Sequence, residues 1–357
     1  MNRPDDLQSI LDELLMLLVE SGEFHRTPQV VEVFGEAKDM LLSMRRRLIA
    51  ATKQYVVAVV GLTNVGKSTL LNAVFGQELA PRRNGPCTAA PIEFMYGDTL
   101  SVTAYHFRSM TRPTWNCTNV EDVHERLSAL ADDSGAERSR NIQRVVVQAP
   151  LPLLEQGLII ADTPGFGAAQ LDGAEGSHEE SLRKYLTNSV SQVFWVVLAE
   201  QGIGKREKDF HDKMFGQVCD DVIVTGCDDW ESTDCDRFQQ RFSQSFNRMP
   251  RFHFASGLRG LKARRSGDDE MLYEAGIKAI EGRIQQLADV SGRFESIRGS
   301  MLALAEDLAF WLSGYSSGND SDFKTWWRPD SWGRWMAKQE NNDFKQHLTA
   351  VLERRDR

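Results

Sequence analysis

Nine residues at positions 61–69, Gly-Leu-Thr-Asn-Val-Gly-Lys-Ser-Thr, have the types and spacing of a phosphate-binding loop. They follow the apolar run 55–60 and precede the apolar-periodic segment 70–74, which gives the order of strand, loop and helix that such a loop requires. The glycines let backbone N–H groups turn inward, and the N-terminus of the following helix favours an anion. Lys67 would reach the β- and γ-phosphates of a nucleotide, and the Ser68 hydroxyl would bind Mg²⁺. We predict phosphate contacts from these loop residues: Gly61, Thr63, Asn64, Val65, Gly66, Lys67, Ser68 and Thr69.

A second motif, Asp-Thr-Pro-Gly at 162–165, ends the apolar run 158–161. A buried strand that ends in D-x-x-G places Asp162 where it can hold Mg²⁺ through a water, and the Gly165 N–H where it can contact the γ-phosphate. Between the two motifs, Thr88 lies in Pro-Cys-Thr-Ala-Ala-Pro and is the candidate switch residue, whose hydroxyl and carbonyl would close on Mg²⁺ and the γ-phosphate. The predicted metal ligands are therefore Ser68, Thr88 and Asp162.

Two later segments could read the base of the nucleotide. Thr-Gly-Cys-Asp at 225–228 resembles the [NT]-K-x-D guanine motif, in which Asp228 would accept hydrogen bonds from the guanine N1–H and N2 amino group. Residues 252–257 resemble the S-A-[KL] loop, whose backbone N–H binds guanine O6. We predict that Thr225, Asp228 and Ser256 face the base. Gly226 stands where the motif has a lysine that covers the base, so the preference for GTP over ATP stays open.

These motifs need a scaffold, and the chain supplies one by alternating strand-like and helix-like segments from residue 55 to about residue 290. This alternation is typical of an α/β fold with a central, mostly parallel sheet. Gly97 and Asp98 between the second and third predicted strands indicate an antiparallel hairpin. We predict strands at 55–60, 92–96, 101–107, 144–148, 158–161, 193–198, 222–225 and 252–254.

Amphipathic helical patterns flank this α/β region on both sides. Two lie before it, at 7–18 and 30–48, and a heptad seam runs after it from Phe294 to Trp311. The seam is short for an independent coiled coil, so we expect these helices to form a small bundle together. The predicted domains are N-terminal bundle helices at 1–53, the nucleotide-binding domain at 54–290, and at 291–357 a C-terminal helix that completes the bundle, followed by a Trp-rich tail.

Composition narrows the classes of partner. The net charge is −9 and the pI about 5.4, which argues against sequence-independent binding to nucleic-acid phosphates. The start of the chain does not have the pattern of a signal peptide, and the five cysteines form no C-x-x-C pair. We therefore expect a cytoplasmic protein with reduced thiols. The aromatic and basic segment 323–338 fits either contact with a membrane interface or packing of the bundle, and the sequence leaves both open.

Several segments together resemble the dynamin-like large GTPases of the bacterial type over roughly residues 54–290. The phosphate loop, Leu-Ala-Pro at 79–81 and Thr-Ala-Ala-Pro-Ile-Glu-Phe-Met-Tyr-Gly at 88–97 match that family's order. The most specific match is the long approach to Asp162, Pro-Leu-Pro-Leu-Leu-Glu-Gln-Gly-Leu-Ile-Ile-Ala at 150–161. The resemblance implies GTP hydrolysis with Mg²⁺, stimulated when two GTPase domains meet as a homodimer. It also implies a bundle built from both flanks, possible contact with a membrane, and a partner dynamin-like chain in some members.

The chain departs from the family in three places. Full members carry a long stalk and a membrane-contacting tip, so this chain is either the first part of a longer protein or a minimal member. Thr63 and Asn64 replace the Gln-Ser pair of eukaryotic dynamins, and Phe166 follows D-x-x-G where small GTPases have a water-orienting glutamine. A phenyl ring can neither donate nor accept that hydrogen bond, so the Thr88 carbonyl is the candidate for positioning water.

Asn64 offers a second catalytic route. In cation-dependent GTPases an asparagine at this position ligates K⁺ beside the phosphates, so Asn64 could bind K⁺; it could equally only hydrogen-bond within the loop. Lys67, Thr88 and Asn64 are thus the predicted catalytic residues. Two other functions fit the motifs: a degenerate GTP-binding switch with negligible hydrolysis that needs a partner chain, and a ribosome-associated GTPase, which the acidic charge disfavours.

Overall fold

The structure is a computed structural model that describes residues 7–9, 11–12, 14–16, 28–82, 90–107, 112–132, 142–166, 175–243 and 250–315. The chain divides into two compact units. The described residues within 53–242 and 250–289 form the first unit, and those within 1–52 and 290–315, with Ser243, belong to the second. The predicted domain boundaries at 53/54 and 290/291 stay predictions.

The first unit is built on a nine-stranded sheet in the order β4-β3-β5-β2-β6-β1-β7-β8-β9. Its strands are β1 (Tyr55–Val60), β2 (Ile92–Tyr96), β3 (Ser101–His106), β4 (Thr114–Asn116), β5 (Ile142–Ala149), β6 (Leu158–Asp162), β7 (Gln192–Leu198), β8 (Cys219–Thr225) and β9 (Arg251–Phe254). The run β6-β1-β7-β8-β9 is parallel throughout, as is the β2–β5 pair. The prediction of a central, mostly parallel sheet is confirmed.

The helices of the first unit follow the strands that they connect. They are α2 (Lys67–Phe75), α3 (Val120–Asp132), α4 (Glu175–Ser189), α5 (Lys205–Met214), α6 (Ser232–Ser243), α7 (Gly257–Ser266), α8 (Asp269–Glu274) and α9 (Ile277–Ala288). Strand β1 explains why the sheet centre forms here, because every residue of Tyr-Val-Val-Ala-Val-Val is buried. A continuous run of apolar residues, rich in β-branched valine, is typical of a parallel strand that is covered on both faces.

The predicted hairpin between the second and third strands is wrong. Strand β5 lies between β2 and β3, parallel to β2 and antiparallel to β3. Gly97 makes this crossover possible: a Cβ there would lie 2.8 Å from the Gln148 Cβ, so only glycine lets the chain pass this close over the end of β5. The Gly97 N–H donates to the Ala149 carbonyl over 3.0 Å. A turn signal was therefore present in the sequence, but the turn leads into a crossover.

Strand β4 has three residues, none of them buried, and was not predicted.

The second unit contains two long helices, α1 (Pro28–Ala51) and α10 (Val290–Tyr315), which pack against each other. Their facing side chains are apolar and buried, including Leu41 and Met44 on α1 and Ile297 and Met301 on α10. The Arg293 Nη1 donates to the Ala51 carbonyl over 2.8 Å, which satisfies one of the open carbonyls at the end of α1. The described residues between 7 and 16 are also helical. The segment 323–338 lies outside the described residues.

No helix within the described ranges has both the length and the apolar character needed to cross a membrane.

Candidate nucleotide site

The predicted site residues come together at one edge of the sheet. The loops that carry them follow the carboxyl ends of β1, β6, β8 and β9, which lie in one parallel run. Because parallel strands end at the same edge, such a run collects its following loops into one crevice, where open α/β sheets bind ligands. Thr88 lies outside the described residues, so its predicted contacts with Mg²⁺ and water stay predictions.

The phosphate loop between β1 and α2 has the conformation that its glycines allow. A Cβ at Gly61 would lie 2.3 Å from the Val196 carbonyl oxygen, and Gly66 has a φ of 88° as the N-cap of α2. Asn64 has a φ of 65° and is the only non-glycine residue with positive φ in the described part of the chain. The loop turns around the buried Val65 side chain, while the Thr63 and Asn64 side chains are exposed. Thr69 lies in the first turn of α2.

Lys67 is the buried cation of this loop. Its side chain is 8% exposed, and its Nζ donates to the carbonyls of Gly61 and Leu62 over 3.1 and 2.8 Å. Burial lowers the pKa of Lys67, and the negative charge of Asp162 opposes that shift. The ammonium group therefore lies between the two motifs that were predicted to hold phosphate and metal.

Asp162 ends β6 beside the first turn of α2. The Ser68 hydroxyl donates to its Oδ2 over 2.8 Å, while its Oδ1 is buried and has no hydrogen-bond partner among the described residues. Burial raises the pKa of Asp162, with Lys67 and the Ser68 hydrogen bond acting in the opposite direction. A buried carboxylate oxygen with no partner, next to a hydroxyl, is a donor set that suits a hard cation such as Mg²⁺.

The D-x-x-G segment lies directly against the phosphate loop. A Cβ at Gly165 would be 2.6 to 2.8 Å from the Oγ1, N and Cα of Thr63, and Phe166 forms a parallel β-bridge with Leu62. The Phe166 ring is 4% exposed and stacks on the Phe210 ring of α5, with centroids 4.1 Å apart. The residue at the glutamine position therefore faces an aromatic cluster and is shielded from solvent.

The base side of the crevice differs in detail from the prediction. The Thr225 hydroxyl lies within hydrogen-bond distance of the Val65 carbonyl (2.6 Å) and the Val197 carbonyl (3.2 Å), so it ties β8 to the phosphate loop. The Ser256 hydroxyl donates to Asp228 Oδ1 and accepts from the Arg259 N–H over 3.1 Å. These two residues are occupied in holding other groups, and their predicted direct contacts with the base stay predictions. Asp228 is only half-buried and borders the crevice.

Two residues that were not predicted emerge from this arrangement. Because Ser256 is bonded to Asp228, the S-A-[KL] motif aligns with Ser-Gly-Leu at 256–258. In this alignment Gly257 is the candidate for the backbone N–H, and a Cβ there would lie 2.9 Å from the Leu70 N of α2. Leu258 is 67% exposed although it is apolar, which suits a side chain that covers a flat base. Leu258 could have been found from the sequence, because the S-A-[KL] motif has leucine as one of the two residues at its third position.

The chain is similar to one family profile and to several known proteins. The sequence profile of the Dynamin family matches residues 57–224. A bacterial dynamin-like protein from Nostoc punctiforme is 27% identical over 207 residues, which cover 55% of this chain and 29% of that protein. The GTPase Der from Mesorhizobium japonicum is 33% identical over 115 residues, covering 31% of this chain and 22% of that protein.

Among solved structures, an oligomerised bacterial dynamin pair, described as providing a mechanism for long range sensing and tethering of membranes, has a similar fold. Its TM-score is 0.50 at 18% sequence identity, and the alignment covers 86% of this chain and 56% of that chain. This chain thus spans less than two thirds of the length of each of these three proteins.

Proposed function

We propose that this chain binds GTP with Mg²⁺ and hydrolyses it, because residues 57–224 match the profile of the Dynamin family and carry a phosphate loop after β1 of a mostly parallel sheet. The observation that carries the proposal is the grouping of Lys67, Ser68 and Asp162, with the Asp162 Oδ1 buried and without a partner in the part of the chain that the structure describes. Phosphate chemistry needs a cation and a metal ligand at this spacing from the loop amides. The GTPase relatives of this chain agree with that chemistry.

In this proposal each group has one task. The loop amides from Asn64 to Thr69 and the Lys67 ammonium neutralise the β- and γ-phosphate oxygens, and the Gly165 N–H contacts the γ-phosphate. Ser68, Asp162 and Thr88 would hold Mg²⁺, which when bound neutralises charge on the β- and γ-oxygens. The Thr88 carbonyl orients the attacking water, because the buried Phe166 ring cannot. Asp228 and the Gly257 N–H select guanine, and Leu258 covers one face of the base.

We further propose that hydrolysis is activated when two GTPase domains form a homodimer and that it moves a bundle containing α1 and α10. The domains would be 1–53, 54–290 and 291–357. Contact with a partner dynamin-like chain and peripheral contact with a membrane are proposed from the solved bacterial dynamin pair, which is described as sensing and tethering membranes. Sedimentation with vesicles of anionic lipid tests the membrane contact: the proposal expects the protein in the pellet.

A second candidate function is a GTP-binding switch with negligible turnover. Two features favour it, the buried phenyl ring of Phe166 and the glycine at position 226. At these two positions the chain lacks the water-orienting glutamine and the base-covering lysine of the GTPase motifs. In such a module GTP would hold the segment around Thr88 closed for a partner, and release of phosphate would be slow whatever the concentration of this chain.

Steady-state phosphate release separates the two candidates. It is measured with GTP and with ATP, in KCl and in NaCl, over a wide range of protein concentration. The dimerising enzyme predicts specific activity that rises with protein concentration and is higher with GTP. Flat, near-zero release together with tight GTP binding would support the switch instead. A Lys67→Ala variant that still bound GTP would show that the pocket has been assigned wrongly.

A further inference from the structure

We propose that Arg259 is the positioning residue that sets guanine selectivity, in place of the lysine that the Thr-Gly-Cys-Asp motif lacks. The inference rests on the proposed binding of GTP. Asp228 can select guanine only if its carboxylate meets the N1–H and N2 amino group in one plane. Something must therefore fix the backbone that carries Asp228, and Gly226 has no side chain with which to do so.

The loop that carries Asp228 is only weakly tied through its own residues. Gly226 has a φ of 69°, which strains any residue with a Cβ, and a Cβ there would lie 2.7 Å from the Leu198 Cδ1, so the Leu198 side chain would have to shift. The Cys227 thiol makes long contacts with the carbonyls of Val224 and Ala255, at 3.5 and 3.7 Å. Thiols are weak donors, so these contacts hold the loop poorly.

Arg259, which lies in α7, contacts the same loop through its guanidinium group and through its backbone N–H. Its guanidinium Nη1 donates to the Asp228 carbonyl over 3.3 Å, and its backbone N–H donates to the Ser256 Oγ over 3.1 Å. The Ser256 hydroxyl in turn donates to the Asp228 carboxylate. Arg259 thereby restrains the backbone of Asp228 directly and its carboxylate through Ser256. A change of the Arg259 side chain removes only the direct restraint.

Glu274 fixes the guanidinium in this position. The Arg259 Nη2 donates to the Glu274 Oε2 over 2.8 Å, so the planar group is held between α8 and the Asp228 loop. The Arg259 side chain is 39% exposed and that of Glu274 56% exposed. Ion pairs at such exposure add little to stability, so variants of either residue are expected to fold. Their effect should appear in the choice of base.

The test compares equilibrium binding of GTP, ITP and ATP to wild type, Arg259→Gln, Arg259→Lys and Glu274→Gln. ITP lacks the N2 amino group, so the ratio of GTP to ITP affinity reports on Asp228. Arg259→Gln should lower GTP affinity about threefold to tenfold, the loss expected for one hydrogen bond, with ATP affinity unchanged. Arg259→Lys should recover part of the loss, and Glu274→Gln should cause a smaller loss in the same direction.

Arg265→Gln is the matched control, because Arg265 lies on the same helix, is 70% exposed and pairs with Glu78 away from the base loops. It should bind all three nucleotides as wild type does. The inference is overturned if Arg259→Gln keeps the wild-type GTP-to-ITP and GTP-to-ATP ratios, or if it weakens ATP as much as GTP. If wild type itself binds GTP no better than ATP, the inference is also overturned, because there is then no guanine selectivity for Arg259 to set, while tight binding of both nucleotides would leave the nucleotide site itself in place.

Discussion

The rings of Phe166 and Phe210 are stacked, with centroids 4.1 Å apart and planes inclined by 15°. This contact joins the residue after D-x-x-G to α5, and on the other side Phe166 forms a β-bridge with Leu62 of the phosphate loop. The position of the Gly165 N–H is therefore set by an aromatic contact next to it. In this protein an apolar anchor occupies the place at which small GTPases have a water-orienting glutamine.

Phe210→Leu should lower the rate of GTP hydrolysis while leaving GDP binding unchanged. The leucine keeps the apolar surface but loses the stacked geometry, so Gly165 is no longer held against the γ-phosphate. Misplacement of this kind costs about tenfold to a hundredfold in rate. Single-turnover phosphate release and GDP titration measure the two effects. Loss of GDP affinity in step with the rate would mean that Phe210 only maintains the fold.

Phe166→Gln should not restore a water-orienting group. Because position 166 is 4% exposed, the amide would be buried among aromatic rings without partners. Burial of an unsatisfied polar group costs about 1–3 kcal/mol, so the free energy of unfolding should fall by that amount. Denaturant unfolding and phosphate release test this together. An increase in turnover would show that the side chain reaches the phosphates.

Asp162→Asn should stabilise the protein in EDTA at neutral pH and abolish the stabilisation by Mg²⁺ with GTP. The folded pKa of Asp162 is raised by burial, so the charged carboxylate destabilises the fold when no cation is bound. That cost is fully present above the folded pKa, shrinks as pH falls through it, and is gone below the unfolded value of 3.8. The Tm difference between variant and wild type should therefore narrow as pH is lowered.

Thermal unfolding in EDTA across a series of pH values measures this difference. Glu200→Gln is a suitable control because Glu200 is exposed and lies outside the site, so its difference from wild type should stay small. The assignment of Asp162 as a metal ligand whose buried charge destabilises the empty site would be contradicted by one result. In that result the variant has a lower Tm than wild type at neutral pH, and the Tm difference is the same at acid pH.

Local sequence patterns were enough to predict those parts of the fold that depend on residues close together along the chain. The apolar run of β1 and the glycines before Lys67 specify strand, loop and helix within about twenty residues, and they were predicted with correct bounds for β1. The crossover at Gly97 was not predicted, because it depends on Gln148, which comes from a distant strand. Turn residues show where the chain bends but not which strand it meets next.

The same limit applies to the site. The phosphate loop and D-x-x-G are short motifs whose chemistry follows from their spacing, and both lie at the same edge of the sheet. Arg259 could not be found this way, since its partners Asp228 and Glu274 lie 31 and 15 residues away in sequence. The contact of Thr225 with the Val65 carbonyl was also not predicted, because it appears only when β8 and the loop lie side by side.

Gly226→Lys, which would complete the guanine motif, should fail to improve GTP selectivity. Its φ of 69° is unfavourable for any residue with a Cβ, at a cost of about 1–2 kcal/mol, and Leu198 lies 2.7 Å from where the Cβ would be. The variant should lose stability, and its ratio of GTP to ATP affinity should not rise. Gly267→Lys is a control for backbone strain, because Gly267 has a φ of 67° with no atom near the Cβ.

Asn64→Gly should remove stimulation by K⁺ and leave GTP binding intact. Asn64 has a φ of 65°, a conformation that glycine adopts without strain, so this change deletes the side chain and keeps the loop backbone. Asn64→Ala also deletes the side chain but adds strain of about 1–2 kcal/mol, which would weaken nucleotide binding in any salt. Comparison of the two variants therefore separates loss of a cation ligand from distortion of the loop.

The measurement is the rate of phosphate release in KCl and NaCl at matched ionic strength. If the Asn64 side chain binds K⁺, wild type is faster in KCl, and both variants show equal rates in the two salts. If the Asn64 side chain only hydrogen-bonds within the loop, wild type has no preference for K⁺, and Asn64→Gly weakens nucleotide binding or hydrolysis equally in the two salts. A K⁺ preference that persists in Asn64→Gly would place the cation on other groups, because the exposed side chain of Asn64 would then contribute no ligand.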